Sequence, residues 1–225
     1  MFLWFYRVVI VDMENYMNVY PKIVNYLLFH SYTMNDVSLY HGKTGIVLAM
    51  MMYADVYKSQ SIREYSEDLF QTIYKDIHDG MPIGIEHGLA GVGYGITLMK
   101  QAKLIDCDLN SVLFDIDAKI MDYNPLRIKD YSFRKGFAGI LAYINLRNKV
   151  EGSVSSFDEN YLRQLSIIYR ENKNTIDIEM NKSIINDLER PDWDEFSYVN
   201  KQLGLEQGSS YYLFKAYYDQ LFLNS

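Results

Sequence analysis

Cysteine is almost missing from this chain: Cys107 is the single one in 225 residues. One thiol forms no intramolecular disulfide and supplies no two-cysteine metal site, and a reducing, cytoplasmic setting is the simplest home for it. Basic residues are also in deficit, with 22 Lys and Arg against 29 Asp and Glu and a formal charge of −7. Phosphate backbones are held by clustered Lys and Arg, so nucleic acid is not an expected partner. Long apolar runs are lacking as well. Met1 to Val11 is apolar apart from Arg7 but too short to span a bilayer. Asp12, Glu14 and Asn15 follow it directly, where a signal peptide would carry small residues at a cleavage site, so neither membrane nor secretion is expected. Met13 is a second candidate start, because Tyr16, Val19, Ile23, Tyr26 and Leu27 begin an amphipathic pattern just behind it. The expected organisation is an extension over 1–12, outside the fold, and one helical domain over 13–225. No linker divides that domain, and the Ser-rich patch from Gly152 to Ser156 reads as an interhelical loop. Phosphate-binding loops and nucleophile elbows are absent too.

What the chain does have is a repeat. Gly42-Lys43-Thr44-Gly45, Gly88-Leu89-Ala90-Gly91 and Gly136-Phe137-Ala138-Gly139 each stand ahead of an apolar run, with the first glycines 46 and 48 residues apart. A fixed period of that size marks an array of helix pairs. A fourth copy, Gly208-Ser209-Ser210-Tyr211, has lost its second glycine and starts 72 residues after the third, as an atypical terminal repeat would. After Gly45, Ile46 to Ala54 is apolar on every side, which predicts an inner helix enclosed by others. Ile62, Tyr65, Leu69, Ile73 and Ile77 then follow at helical spacing among charged residues, which predicts an outer helix. Val92 to Ile105 and the stripe Leu109, Val112, Leu113, Ile116 and Ile120 repeat the alternation. The fold expected is all-α: a toroid-like array of helical hairpins forming a partial ring, with Gly42, Gly45, Gly88, Gly91, Gly136 and Gly139 in structural turns on one face.

The phrases Leu39-Tyr40-His41-Gly42-Lys43-Thr44-Gly45, Glu86-His87-Gly88-Leu89-Ala90-Gly91 and Lys135-Gly136-Phe137-Ala138-Gly139 resemble the repeat motifs of the lanthionine synthetase C-like family. The resemblance implies an α/α toroid, here shortened, with glycine turns grouped at one end. It also implies the family's chemistry: addition of a cysteine thiol to a dehydrated serine or threonine of a lanthipeptide precursor, with zinc on two cysteines and one histidine lowering the thiol pKa. Residue by residue that site is altered here. The Cys-His-Gly motif falls on Glu86-His87-Gly88, and the cysteine of the preceding repeat falls on Tyr40. Cys107 matches neither position. No cofactor is therefore expected, zinc included.

His41, Glu86 and His87 are the candidate catalytic residues. Two imidazoles and a carboxylate are an accepted zinc set, and they could equally serve acid/base work or peptide binding. Against both, a polar residue beside a tight glycine turn commonly serves the turn itself. Arg134 and Lys135, just before the third turn, form a candidate anion-binding pair at a helix start. Two functional classes stand: a zinc-free binding or accessory module in lanthipeptide-type maturation, with a precursor peptide or a modifying enzyme as partner, or an enzyme, a thioether-forming cyclase or a hydrolase using His41, Glu86 and His87. A shortened ring also predicts an uncovered apolar surface that a second copy or another chain completes, with the aromatic helix from Tyr211 to Phe222 as the contact.

Overall fold

A computed structural model describes residues 19–78, 80–151 and 156–222. The expected extension over 1–12, the start at Met13 and most of the Gly152 to Ser156 loop lie outside them. The described residues form helices and turns, with no strand. After α1, over 19–30, come α2 (Lys43–Tyr57), α3 (Gln60–Asp76), α4 (Leu89–Gln101), α5 (Leu109–Val112), α6 (Phe114–Met121), α7 (Phe137–Glu151), α8 (Glu159–Glu171), α9 (Lys173–Met180), α10 (Ile184–Asp187) and α11 (Ser209–Phe222). No helix among these residues is long and apolar enough to cross a membrane.

The inner and outer alternation holds. Every residue from Lys43 to Ala54 of α2 is buried, whereas α3 buries Leu69 and Ile73 and leaves its charged side wet. Inner helices α2 and α4 end alike: Lys58 and Lys103 adopt left-handed φ values of 51° and 58°. Just beyond them Ser59 and Leu104 donate back to Ala54 and Met99, a Schellman closure that turns the chain outward to the next helix. The inner run expected over Val92 to Ile105 accordingly stops at Gln101. The second outer helix breaks at Leu113 into α5 and α6, with Asp108 capping the first piece.

Four inner helices line up as α7, α4, α2 and α11, with α3 behind α2, α6 behind α4 and α9 behind α7. The fourth repeat thus packs on the first. In α11, Tyr212, Leu213, Phe214 and Tyr217 are buried within the chain, the Tyr217 ring meeting Tyr20 and Tyr53 edge-on, while Tyr211 and Tyr218 are half-buried. At the other end of the row, α7, α8 and α9 leave a recess of about 380 Å³ lined by Leu141, Leu162, Leu165, Tyr169 and Met180.

Candidate functional site

The glycine turns share one construction. The residue after each first glycine donates its N–H to a carbonyl seven positions upstream: Lys43 to Asp36, Leu89 to Pro82, Phe137 to Asp130 and Ser209 to Gln202. The fourth, glycine-poor copy keeps this bond. Glycine is required by close approach rather than by dihedral freedom, since Gly42 and Gly88 sit at φ −111° and −116°, open to any residue. A Cβ on Gly42, Gly88 or Gly136 would lie 2.5, 2.3 or 2.2 Å from a carbonyl oxygen of its own turn, and one on Gly45, Gly91 or Gly139 would come within 2.1 Å of another.

Backbone bonds then link the turns to one another through the residue two before each first glycine. Glu206 donates to Tyr40 at 2.8 Å, Tyr40 to Glu86 at 3.4 Å, and Glu86 to Arg134 at 2.9 Å. Side chains join the two ends of this series: Arg134, from the third turn, pairs with Glu206, from the fourth, at 2.7 Å. All six turn glycines expected on one face are in these interlocked turns.

This linkage brings His41, Glu86 and His87 together, their potential ligand atoms all within 4.8 Å of one another. Glu86 is buried, with Oε1 3.5 Å from His41 Nε2, 3.9 Å from His87 Nε2 and 3.3 Å from the Arg134 guanidinium. Lys135 Nζ lies 3.8 Å from Glu86 Oε2 and is otherwise exposed. Arg134 is turned inward onto carboxylates rather than outward: besides Glu206 and Glu86 it meets Asp187 Oδ2 at 2.9 Å and the Asp187 carbonyl at 2.6 Å, and it lies over the Tyr40 ring. The two imidazoles stack, with centroids 4.6 Å apart and planes 14° from parallel.

That stacking decides what the trio can hold. An imidazole binds a metal along a lone pair in its own ring plane, so two stacked rings aim their lone pairs side by side, not at one point. Glu86 already faces two cations. Tyr40, where the resemblance implies a cysteine, donates its hydroxyl to Asp187 at 2.8 Å, and burial, followed by the Asp187 charge, pushes its pKa far up, so it remains a neutral phenol. The residues as arranged do not fit a zinc ion.

Glu86 behaves as a fixed negative charge. Burial works to raise its pKa, but the Arg134 charge, the contact with His41 and the charges of His87 and Lys135 outweigh it, leaving the carboxyl below its ordinary 4.5. A depressed folded-state value contributes stability that is fully present above the unfolded value and is lost as pH falls through the folded one. Glu86→Gln should therefore lose stability at neutral pH and show a shallower decline below pH 4.5 than the parent in urea melts across the acid range. Parallel acid limbs would contradict the pairing. Oε2 of this carboxylate, although buried and ionised, accepts no hydrogen bond, and neither does the buried His41 Nε2 take part in one.

Sequence reasoning missed Tyr40, Asp187 and Glu206 as members of this cluster. A signal existed for two of them: aligning the four copies on their first glycines puts Tyr40, Glu86, Arg134 and Glu206 in one column. Asp187 arrives from α10, outside the repeat, and nothing in the pattern marks it. No curated protein matches the chain. A family model described as lanthionine synthetase C-like protein matches residues 33–205, which takes in the first three glycine turns and the Tyr40, Glu86, Arg134 and Asp187 positions. With the helical hairpin array and interlocked turns already described, that match over most of the chain makes it a member of the lanthionine synthetase C-like family.

Proposed function

We propose that this chain is a zinc-free, peptide-binding or accessory member of its family in lanthipeptide-type maturation, holding a precursor peptide at the turn end or presenting it to a modifying enzyme. The observation that carries the reading is the orphaned oxygen of Glu86: buried, ionised and without a hydrogen-bond donor. A buried acceptor of that kind calls for a donor, and a peptide N–H or hydroxyl arriving beside the half-exposed His87 and Lys135 would supply one. Thioether formation has little support. Its thiolate is generated on zinc, and the two cysteine positions carry a neutral phenol and a carboxylate paired to Arg134. Hydrolysis by Glu86 is also ill matched, because a carboxylate held below its ordinary pKa is a weak base and is not protonated to act as an acid near neutral pH.

Fluorescence anisotropy with a labelled peptide carrying one cysteine and one dehydroalanine tests the reading. Saturable binding is expected, weakened about tenfold in Lys135→Ala or His87→Ala, as loss of a charge-assisted contact would do. Thiol titration of the same mixture should show no consumption above the peptide alone. Thiol loss that depends on the protein would promote the cyclase reading, and absence of any binding would end the peptide reading. A second copy or another chain that completes the row of helices is part of the same proposal, and light scattering at high concentration tests it: a monodisperse monomer, alone and with the modifying enzyme, would remove it.

A further inference from the structure

Between α6 and α7 the chain runs as a strap that leads into the third turn. Asn124 accepts the Leu126 N–H on its side chain at 2.9 Å and the Arg127 N–H on its carbonyl at 3.1 Å, which winds Pro125–Arg127 into a single turn of 3-10 helix. Pro125 is buried, and the turn packs on α8. Ile128 then extends the backbone at φ −75° and ψ 117° and packs on the core, so its exposed neighbours Arg127 and Lys129 fall together on the outward side. Further on, Asp130 Oδ1 accepts the Ser132 N–H, Glu179 Oε2 the Phe133 N–H and the Asp130 carbonyl the Phe137 N–H, each at 2.8 Å. The last of these bonds closes the third turn, with Lys129 one residue before its acceptor and Lys135 two residues before its donor. The strap is thus held along its length by hydrogen bonds and buried side chains. To solvent it shows Tyr123, Leu126, Arg127, Lys129 and Lys135, with Asp130 the one carboxylate between 123 and 135. Among the described residues no carboxylate pairs with Arg127 or Lys129, and Lys135 reaches only Glu86, at 3.8 Å.

We propose that this strap is the docking edge for an acidic segment of the peptide held at the turn end: carboxylates of that segment pair with Arg127, Lys129 and Lys135, and an apolar side chain among them rests on Leu126 and Tyr123. The proposal rests on the peptide-binding reading and extends it along the chain from Glu86 by way of Lys135. Charge selects the occupant. Three exposed cations beside a single Asp130 attract a short acidic stretch locally, because at physiological salt a surface charge acts over about 8 Å. A long polyanion would meet the rest of a chain whose formal charge is −7, and three cations neutralise too few phosphates to hold nucleic acid.

Fluorescence anisotropy with three kinds of labelled peptide tests it: the cysteine and dehydroalanine peptide above, the same peptide extended on either side by Glu-Leu-Asp-Leu-Glu, and that extension with its acids changed to lysine. The acidic extension on one side should tighten binding about tenfold at low salt, as a few exposed ion pairs together do, and the basic extension should give no gain. The gain should vanish in the double variant Arg127→Gln, Lys129→Gln, and also in about 1 M salt, where charges act within about 3 Å. The double variant should melt and bind the unextended peptide as the parent does, because both side chains are exposed and unpaired. If the unextended peptide does not bind while the acidic one binds through Arg127 and Lys129, the turn-end site fails and the strap stands. No gain from the acidic extension, a gain that survives the double variant, or an oligonucleotide held as tightly through the same two residues would each overturn the proposal.

Discussion

Gly91→Val is expected to lower folding stability by about 3 kcal/mol or more in urea unfolding, a large fraction of what a domain of this size has to lose. A Cβ at Gly91 would stand 1.9 Å from the Ile85 carbonyl oxygen and 2.8 Å from its carbon, both backbone atoms that no side-chain rotation can move. To admit it, the second turn must open, and three bonds are at stake: Leu89 to Pro82 at 2.9 Å, Ala90 to Ile83 at 3.2 Å and Gly91 to Gly84 at 3.2 Å. Each net bond contributes about 1 kcal/mol, and burying the freed groups costs more. The strain also spreads, because Glu86, one residue on from Ile85, makes the backbone links to the first and third turns. Gly80→Ala is the control: a Cβ there meets only the His78 side chain at 3.3 Å, and its effect should stay within about 0.5 kcal/mol. A Gly91→Val protein that unfolds at the parent's urea midpoint would show that the turn tolerates a side chain.

The fourth turn carries a tyrosine, Tyr211, where the other three have that second glycine, and the chain shows how it is accommodated. Ser209 and Ser210 bond to Gln202 and Leu203 as Leu89 and Ala90 do to Pro82 and Ile83, and the Tyr211 N–H reaches Gly208 as that of Gly91 reaches Gly88. The close approach at the first glycine is kept, since a Cβ on Gly208 would lie 2.2 Å from the Gly204 carbonyl oxygen, much as one on Gly88 would lie 2.6 Å from that of Gly84. The loss of the second motif glycine therefore did not mean the loss of the turn.

The repeat architecture was legible because it rests on local rules: a glycine period, apolar runs enclosed on all sides and amphipathic stripes between them. That His41, Glu86 and His87 meet also follows from equivalent positions in adjacent repeats. What did not follow was the state of the meeting. Stacking of the two imidazoles depends on rotamers, and the pairing of Arg134 with Glu86, Glu206 and Asp187 depends on the fourth repeat folding back beside the first. A sequence reading of Arg134 and Lys135 as neighbours in one loop treats them as a pair facing outward. Their side chains in fact part company: Arg134 is drawn in by carboxylates of two distant segments, and Lys135 stays at the rim. The repeat column marks Glu86, Arg134 and Glu206 as equivalent positions, but nothing periodic marks Asp187 or shows that the fourth position returns to the third.

Asp117 and Arg147 make the same point from the core, and they carry the second large effect. Asp117 stands among the charged residues of the second outer segment, where the natural reading is a wet face. It also completes the set Leu113, Ile116, Asp117 and Ile120, one continuous helix face, and it is 2% exposed. Arg147 likewise continues Ile140, Tyr143 and Ile144 on α7 and is itself 2% exposed. The pair lies 3.7 Å apart, with the Tyr143 hydroxyl donating to Asp117, and Arg147 donating to Asn110 at 2.7 Å and Ser156 at 3.0 Å. Burial raises the Asp117 pKa despite the opposing hydrogen bond from Tyr143 and charge of Arg147. Arg147→Met should remove that charge and strand the carboxylate, at a cost of about 3 to 5 kcal/mol at neutral pH, the range for breaking one side of a buried pair. A carboxyl whose folded pKa is raised adds stability below its unfolded value, and that stability disappears as pH climbs through the folded one. The deficit of Arg147→Met should therefore shrink as pH is lowered from neutral towards the ordinary aspartate value of 3.8. The double variant Asp117→Asn, Arg147→Met should recover at least about 1 kcal/mol at neutral pH, because it removes the stranded charge while keeping an acceptor for Tyr143. A pH-independent deficit, or a double variant no better than the single, would mean that Arg147 acts through its packing on α5 and α6 and not through its charge.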